Sequence, residues 1–339
     1  MADSQPSEID PGPDPETGSN PLKPPAGVAV IAIGRNEGER LKRCLRSLVA
    51  APGVEAVVYV DSNSSDGSVA FAESLGVATV VLDTDRPFTA ARARNAGVAR
   101  LSKPGARLSG AESADAPPLT HVFFIDGDCE LVPGFLEAGL SAMRERPDVV
   151  AVGGRRRERH REATVYNLLC DMEWDRPTGE VTFFGGEGLV ARPAFDAVGG
   201  FDDTLIAGEE PELCHRLRAA GGRIWTVDHD VAIHDADMHR FGQWWKRAER
   251  AGHAYAEGHA QHGDEDGYYG REVRSIIAYG LGGVSAMSGG VSLTPCPRGR
   301  GGHPAAPRLC IPSAPGACRA AGSSGSAACR PPRGTSRSQ

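Results

Sequence analysis

After Glu272 this 339-residue chain contains no acidic residue. Residues 274–339 hold eight Arg and no Lys, which makes that stretch +8. The formal charge of −7 therefore conceals a body, residues 1–273, at −15. So acidic a body excludes a general nucleic-acid binder, which needs a basic surface for phosphates. No run of 18 or more apolar residues exists, and this excludes a transmembrane helix. The first 27 residues contain seven Pro and no apolar core segment, so they are not a signal peptide. A cytoplasmic setting is the expectation. No CxxC pair occurs among the eight Cys. Neither GxGxxG nor GxxxxGK[ST] is present, so phosphates are not held by a Gly-rich helix start.

What is present falls into three kinds of sequence. Residues 1–26 are Pro-rich with few large apolar side chains, and disorder is expected. Residues 288–339 are Gly, Ser, Pro, Ala and Arg without a period of 2 or 3.6, and the same expectation holds. Cys296, Cys310, Cys318 and Cys329 lie there with His303, at spacings too irregular for a structural zinc site. The abrupt change of composition is that of GC-rich DNA read in another frame. The expectation is that an alternative frame after about residue 283 encodes an apolar helical continuation. SKPGARLSGAESADAPPL, residues 102–119, reads as a surface insertion.

Between residues 27 and 262 strands and helices alternate. VAVIAI (28–33) is a strand buried on both faces. In the helix after it, Leu41, Cys44, Leu45, Leu48 and Val49 share one face. VEAVVYVD (54–61), ATVVLD (78–83), HVFFID (121–126) and VVAVGG (149–154) are further strands. Helices are expected over 65–76, 89–101 and 133–145. This order predicts an α/β domain with a mainly parallel central sheet. Residues 263–287 are taken as a connecting segment. Ligands bind such sheets beyond the carboxyl ends of the strands.

Asp126 and Asp128 stand at one such end, and residues i and i+2 of an extended chain point the same way. Two converging carboxylates suit a hard divalent cation that keeps positions open for phosphate oxygens. A polar turn is the plainer alternative. Asp61 ends another strand at the same rim, and Arg92 and Arg94 are basic groups available to phosphates.

The order Arg35-Asn36-Glu37, VDSNSSDGS, AARARNAG, IDGDCE, GGEGLVARPAFDAVGGFDD, GEEPELCHRLRAAG and a late His resembles the family-2-type glycosyltransferases of GT-A fold. The resemblance covers roughly residues 27–255. It implies a single GT-A, Rossmann-like domain over 27–262, a nucleotide-sugar donor, a divalent cation (Mg or Mn) and inversion at the anomeric carbon. Carried over by position, Arg35, Asn36 and Glu37 line the nucleotide pocket. Asp61 contacts base or ribose, and Arg94 and Asn95 close on the nucleotide. Asp126 and Asp128 are the metal pair, joined by His234, with His229 a weaker competitor. Gly185, Gly186 and Glu187 lie beside the donor sugar and the acceptor, as do Arg216 and Trp244. Glu210 takes the base position, with Glu209 the alternative; Pro211 at the first helical position would make Glu210 the N-cap. A charged helix start complementing the dipole is the plainer reading of these acids.

The implied reaction is a metal-dependent, inverting transfer to a hydroxyl acceptor, a glycan or a lipid-linked one, in making cell-envelope glycan. The alternatives are a non-catalytic nucleotide-sugar-binding subunit and a sugar-phosphate nucleotidyltransferase. RFGQWWKRAERAGHAYAEG (240–258) has Phe241, Trp244, Trp245, Ala248, Gly252 and Tyr255 at helical spacing, with Arg240, Lys246, Arg247 and Arg250 flanking. Packing of the aromatics on the sheet is expected first. Peripheral contact with the inner face of the cell membrane, or cover for the acceptor site, is the alternative. The run Arg155 to Arg161 reads as a solvated charged face, or else as a site for a phosphorylated acceptor.

Overall fold

A computed structural model describes residues 27–108 and 116–288. The expected disordered ends, the tail cysteines, the alternative-frame reading and the middle of the insertion at 102–119 lie outside these residues. All described residues belong to one compact unit that ends at Ser288.

The first strand, β1 (Gly27–Gly34), is buried along nearly its whole length. Val28, Val30 and Ala32 face the helix α1 (Glu39–Val49), which buries Leu41, Cys44, Leu45 and Leu48, the face that its periodicity predicts. Ile31 and Ile33 face the opposite core with Ala91, Ala93 and Val98 of α3 (Ala90–Arg100). Two cores, one on each side of the sheet, explain the unbroken apolar run. On α3, Gly97 lies against Ile31 and Val60, where any Cβ would collide with the Ile31 side chain.

β1 pairs in parallel with β2 (Val54–Asp61) and with β4 (Leu119–Asp126). β3 (Ala78–Val81) extends this parallel half, following the short α2 (Ser68–Ser74). The registers Gly34↔Asp61 and Ile33↔Asp126 bring both acids level with the carboxyl end of β1.

Beyond β4 the sheet is mixed. Its order is β3-β2-β1-β4-β8-β6-β9-β5, with β7 on β9. Here β5 is Cys129–Leu131, β6 Val149–Glu158, β7 Gly179–Val181, β8 Gly188–Ala191 and β9 Arg223–His234. β8 runs antiparallel to both β4 and β6. The expected parallel character thus holds for β3-β2-β1-β4 and for β6–β9. The chain is already at the carboxyl rim when it makes the turn at 185–187, so it must re-enter the sheet running back.

α4 (Phe135–Glu145) and α5 (Val165–Trp174) pack on β6, and α6 (Arg192–Ala197) on β4. α7 (Glu209–Ala219) is capped by Gly208 in the left-handed region (φ 80), not by Glu210. Pro211 therefore sits two positions deeper than its expected place. It is tolerated because first-turn N–H groups have no intrahelical partner. α8 (Phe241–Asp266) and α9 (Gly270–Ser288) pack on each other. No helix among the described residues is long and apolar enough to cross a membrane.

Candidate functional site

The polar rim begins with two loops stapled together. Asn36, at φ 55, accepts the Ser65 N–H at 2.8 Å on Oδ1, and its own N–H donates to Ser64 Oγ at 2.9 Å. Gly38 N–H donates to Asp66 Oδ2 at 2.9 Å. Asp61 is fully buried beneath this junction. Its carboxylate accepts the Tyr59 hydroxyl at 2.7 Å and the Ser64 N–H at 2.7 Å. Asn36 and Asp61 thus hold the two loops of this rim together from within. Arg35 is exposed and lies 5.2 Å from the Phe88 ring. Half-buried Glu37 pairs with Arg40 at 2.8 Å, and burial together with the Asp128 charge pushes its carboxyl up.

Arg94, from α3, joins two elements. Its guanidinium donates to Asp126 at 2.9 Å and to Glu209 at the start of α7. The two acids hold its pKa up despite burial. The other α3 residues of this group are used elsewhere. Arg92 is buried and tied to Asp83 and to the carbonyls of Asp83, Arg86 and Pro87, so it locks that turn and does not offer itself to phosphates. Asn95 clamps the Phe201 backbone at 2.8 and 3.0 Å.

A second cluster forms where β5, β6 and β9 meet. The registers Cys129↔His234 and Glu158↔His234 set the His234 ring between two strands. Its Nε2 lies 3.2 Å from Asp128 Oδ2, and its Nδ1 lies 3.2 Å from Glu158 Oε2. Burial opposes the charged imidazole, but the two carboxylates hold its pKa up to about 9. Burial likewise opposes the Asp128 charge, and the His234 contact wins, lowering its pKa to about 2. Trp174 stacks edge-on against the imidazole at 4.7 Å. Gly127, between the two acids, lies close under β1: a Cβ there would stand 3.0 Å from the Ile33 carbonyl oxygen.

Asp128, Cys129 and His234 offer ligand atoms within 4.8 Å of one another, the one such group among the described residues. A carboxylate and an imidazole fit Mn²⁺ or Mg²⁺. The carboxylate of Glu158 behind the imidazole orients a ligating ring in the usual way. The Cys129 thiol is pushed up by burial and donates to Glu187 at 3.2 Å, so it stays neutral and is no ligand for a hard cation. Asp126 lies outside this group because Arg94 holds it. His229 does as well, placed against Phe135 and Gly134.

The third part is the turn at 185–187. Buried Glu187 takes Arg156 in a two-pronged pair, 2.6 Å on one side. Arg156 occupies the place where a Gly186 Cβ would go, and Gly186 has φ 104, so this position requires glycine twice over. Glu210 is buried below the turn, accepting the Phe184 N–H at 2.8 Å and a thiol hydrogen bond from Cys214 at 3.3 Å. Burial raises its pKa, and these donors with nearby Arg176 only partly offset the rise. Arg216 is committed to Glu212 at 2.6 Å and to the Val198 carbonyl at 2.7 Å.

Trp174 escaped the sequence reading, and Arg156 and Glu158 entered it only within the charged run, although alternation along β6 puts the two on one side. The arginine run is a ladder of ion pairs. Arg155 meets Asp228 and Asp230, Arg157 meets Asp230, Arg159 meets Glu130 and Arg161 meets Asp171. The expected packing of the α8 aromatics on the sheet is not found. Phe241 and Trp245 are each 56% exposed, and Trp244 is half-buried beside Phe241 at 5.8 Å. The helix leaves the sheet edge here and is tied to α5 through Arg247–Glu173 at 2.7 Å.

Residues 29–183 match the model of glycosyl transferase family 2. No curated protein matches the chain by sequence. Among solved structures, it is similar to S. aureus TarS 1-349, with 15% identity and TM-score 0.50, over 79% of this chain and 76% of that one. The mannosyltransferase PcManGT from Pyrobaculum calidifontis, in complex with GDP-Man and Mn²⁺, gives 20% identity and TM-score 0.49 over 70% of this chain. This chain spans 64% of that protein's length. Glucosyl-3-phosphoglycerate synthase from Mycobacterium tuberculosis, with Mn²⁺, UDP and glucosyl-3-phosphoglycerate, gives 18% and 0.42, over 66% of this chain and 76% of that one. Residues 29–183 thus resemble glycosyl transferase family 2, and the fold is that of S. aureus TarS 1-349.

Proposed function

We propose that the protein is a metal-dependent inverting glycosyltransferase, moving a sugar from a nucleoside diphosphate donor to a hydroxyl of a glycan or lipid-linked acceptor. Cell-envelope glycan made at the inner face of the membrane is the setting we assign to it. The observation that carries the reading is Glu210. It is a carboxylate buried under the Phe184–Gly185 backbone with its pKa raised, on the same rim as the Asp128–His234 pair. A raised pKa makes the carboxylate a stronger base. Glu209 is committed to Arg94, so the base role goes to Glu210.

Glu210 removes the proton of the acceptor hydroxyl. The oxygen forms its bond to the anomeric carbon as the bond to the diphosphate breaks on the opposite face, and one displacement inverts the centre. Asp128 and His234 would hold a divalent cation, which supplies Lewis-acid stabilisation of the leaving diphosphate. Arg94 keeps Asp126 and Glu209 in fixed positions beside the donor.

Thermal shift with UDP-, GDP- and dTDP-sugars in Mn²⁺ identifies the donor, since a ligand at 100 Kd stabilises by about 2.7 kcal/mol. With that donor, Glu210→Gln is expected to lose on the order of 10²–10⁴ in turnover. Wild-type turnover in this variant would sink the base assignment, and full activity in EDTA would remove the cation.

A further inference from the structure

We propose that the outer face of α5 and the first half of α8 form a docking surface for an anionic lipid bilayer. Val165, Leu169 and Met172 of α5 lie at i, i+4 and i+7, one face of a helix, and are 59%, 37% and 60% exposed. Phe241 and Trp245 lie on one face of α8, each 56% exposed. The two helices are neighbours. Arg247 pairs with Glu173 at 2.7 Å, and its guanidinium stands 5.9 Å from the Trp174 ring. Large apolar side chains left in water on two adjoining helices mark an interaction surface.

Charge selects the occupant. From Arg240 to Arg250 the chain has four cations and a single acid, Glu249. Arg247 is satisfied by Glu173, whereas Arg240, Lys246 and Arg250 have no acidic partner among the described residues. Aromatic side chains set among unpaired cations match the boundary between headgroup and acyl chain, with anionic headgroups as counterions. An apolar protein partner would leave those cations unmatched. Trp174, on the inner side of α5, touches His234, so a bilayer on the outer side lies one helix away from the metal-ligand cluster. The purpose of this surface rests on the lipid-linked acceptor proposed above, but its existence rests only on the exposures and charges.

The test is co-sedimentation of the full chain with vesicles, without donor, so it reads independently of transfer. Binding is expected to phosphatidylcholine vesicles holding roughly 30 mol% phosphatidylglycerol, weak binding to phosphatidylcholine alone, and release by about 0.5 M NaCl. The Trp fluorescence should shift to the blue on binding, and Trp245→Phe should remove most of that shift. Phe241→Ser with Trp245→Ser should lower binding at least tenfold at an unchanged melting temperature. Lys246→Gln with Arg250→Gln should lower it roughly twenty-fold. The proposal falls if the chain stays in the supernatant at low salt, or if the double variants bind as wild type. It falls equally if the Phe241 and Trp245 changes abolish only self-association.

Discussion

The burial of Glu210 couples its charge to stability. Its pKa is raised in the folded state by burial, so the native protein binds that proton more tightly than the unfolded chain does. Ionisation is therefore a stability cost at neutral pH, and the cost fades as pH falls through the raised pKa. Glu210→Gln keeps an acceptor for Phe184 and removes the charge, so its melting temperature at pH 7 should equal or exceed wild type while turnover collapses. Calorimetry at pH 7 and 5 checks this, and the advantage of the variant should shrink at pH 5. Asp61 behaves differently. Asp61→Ala leaves the Tyr59 hydroxyl and the Ser64 N–H without their buried partner. A loss of about 1–3 kcal/mol in urea denaturation is expected. Both acids were visible in the sequence, Asp61 at a strand end and Glu210 at a helix start. The burial of Asp61 was not, because strand-end position says nothing about which loop folds over it. The neighbourhood of Cys129 and Glu158 with His234 was missed for a related reason: it arises from pairing across more than 70 residues.

Among the elements, β1 and α1 were legible because apolar periodicity specifies both their type and their buried faces. Gly97 is a test of how closely α3 lies on the sheet. Gly97→Ala improves helix propensity by about 1 kcal/mol but drives a Cβ into Ile31. Overpacking costs typically about 1–3 kcal/mol, so a net loss of stability by chemical denaturation is expected. The direction of β8 could not be read, since GLVA carries an apolar pattern and no polarity of pairing. The aromatic period of α8 reported a helix faithfully but could not say what covers its face.

For the whole molecule, charge is the governing quantity. The rim gathers Glu37, Asp126, Asp128, Glu187, Glu209 and Glu210, while Arg94 and Arg156 are already paired. The nucleoside diphosphate of the proposed donor would bring further negative charge to this rim. Donor binding is therefore expected to need the cation: a nucleotide-sugar should raise the melting temperature with Mn²⁺ and not in EDTA. Asp128→Asn should lose that increment and, by breaking the contact with His234, also lower the apo melting temperature. A shift of equal size in EDTA would overturn this. The body's −15 was plain from composition, whereas its concentration at one rim required the fold.

One feature of the strand order reaches further. From β4 the ladder passes through β8, β6 and β9 to β5, and β5 is joined back to β4 by Gly127 and Asp128 alone. Five strands thus make a closed circuit, and Asp128 is its clasp. A closed circuit has no loose end in which to dissipate a displacement. Slippage of β9 against β5 or β6 is expected to reappear as a changed gap between Asp128 and His234. Cation affinity should therefore act as a gauge of distant damage, falling in variants of β6 that touch neither ligand.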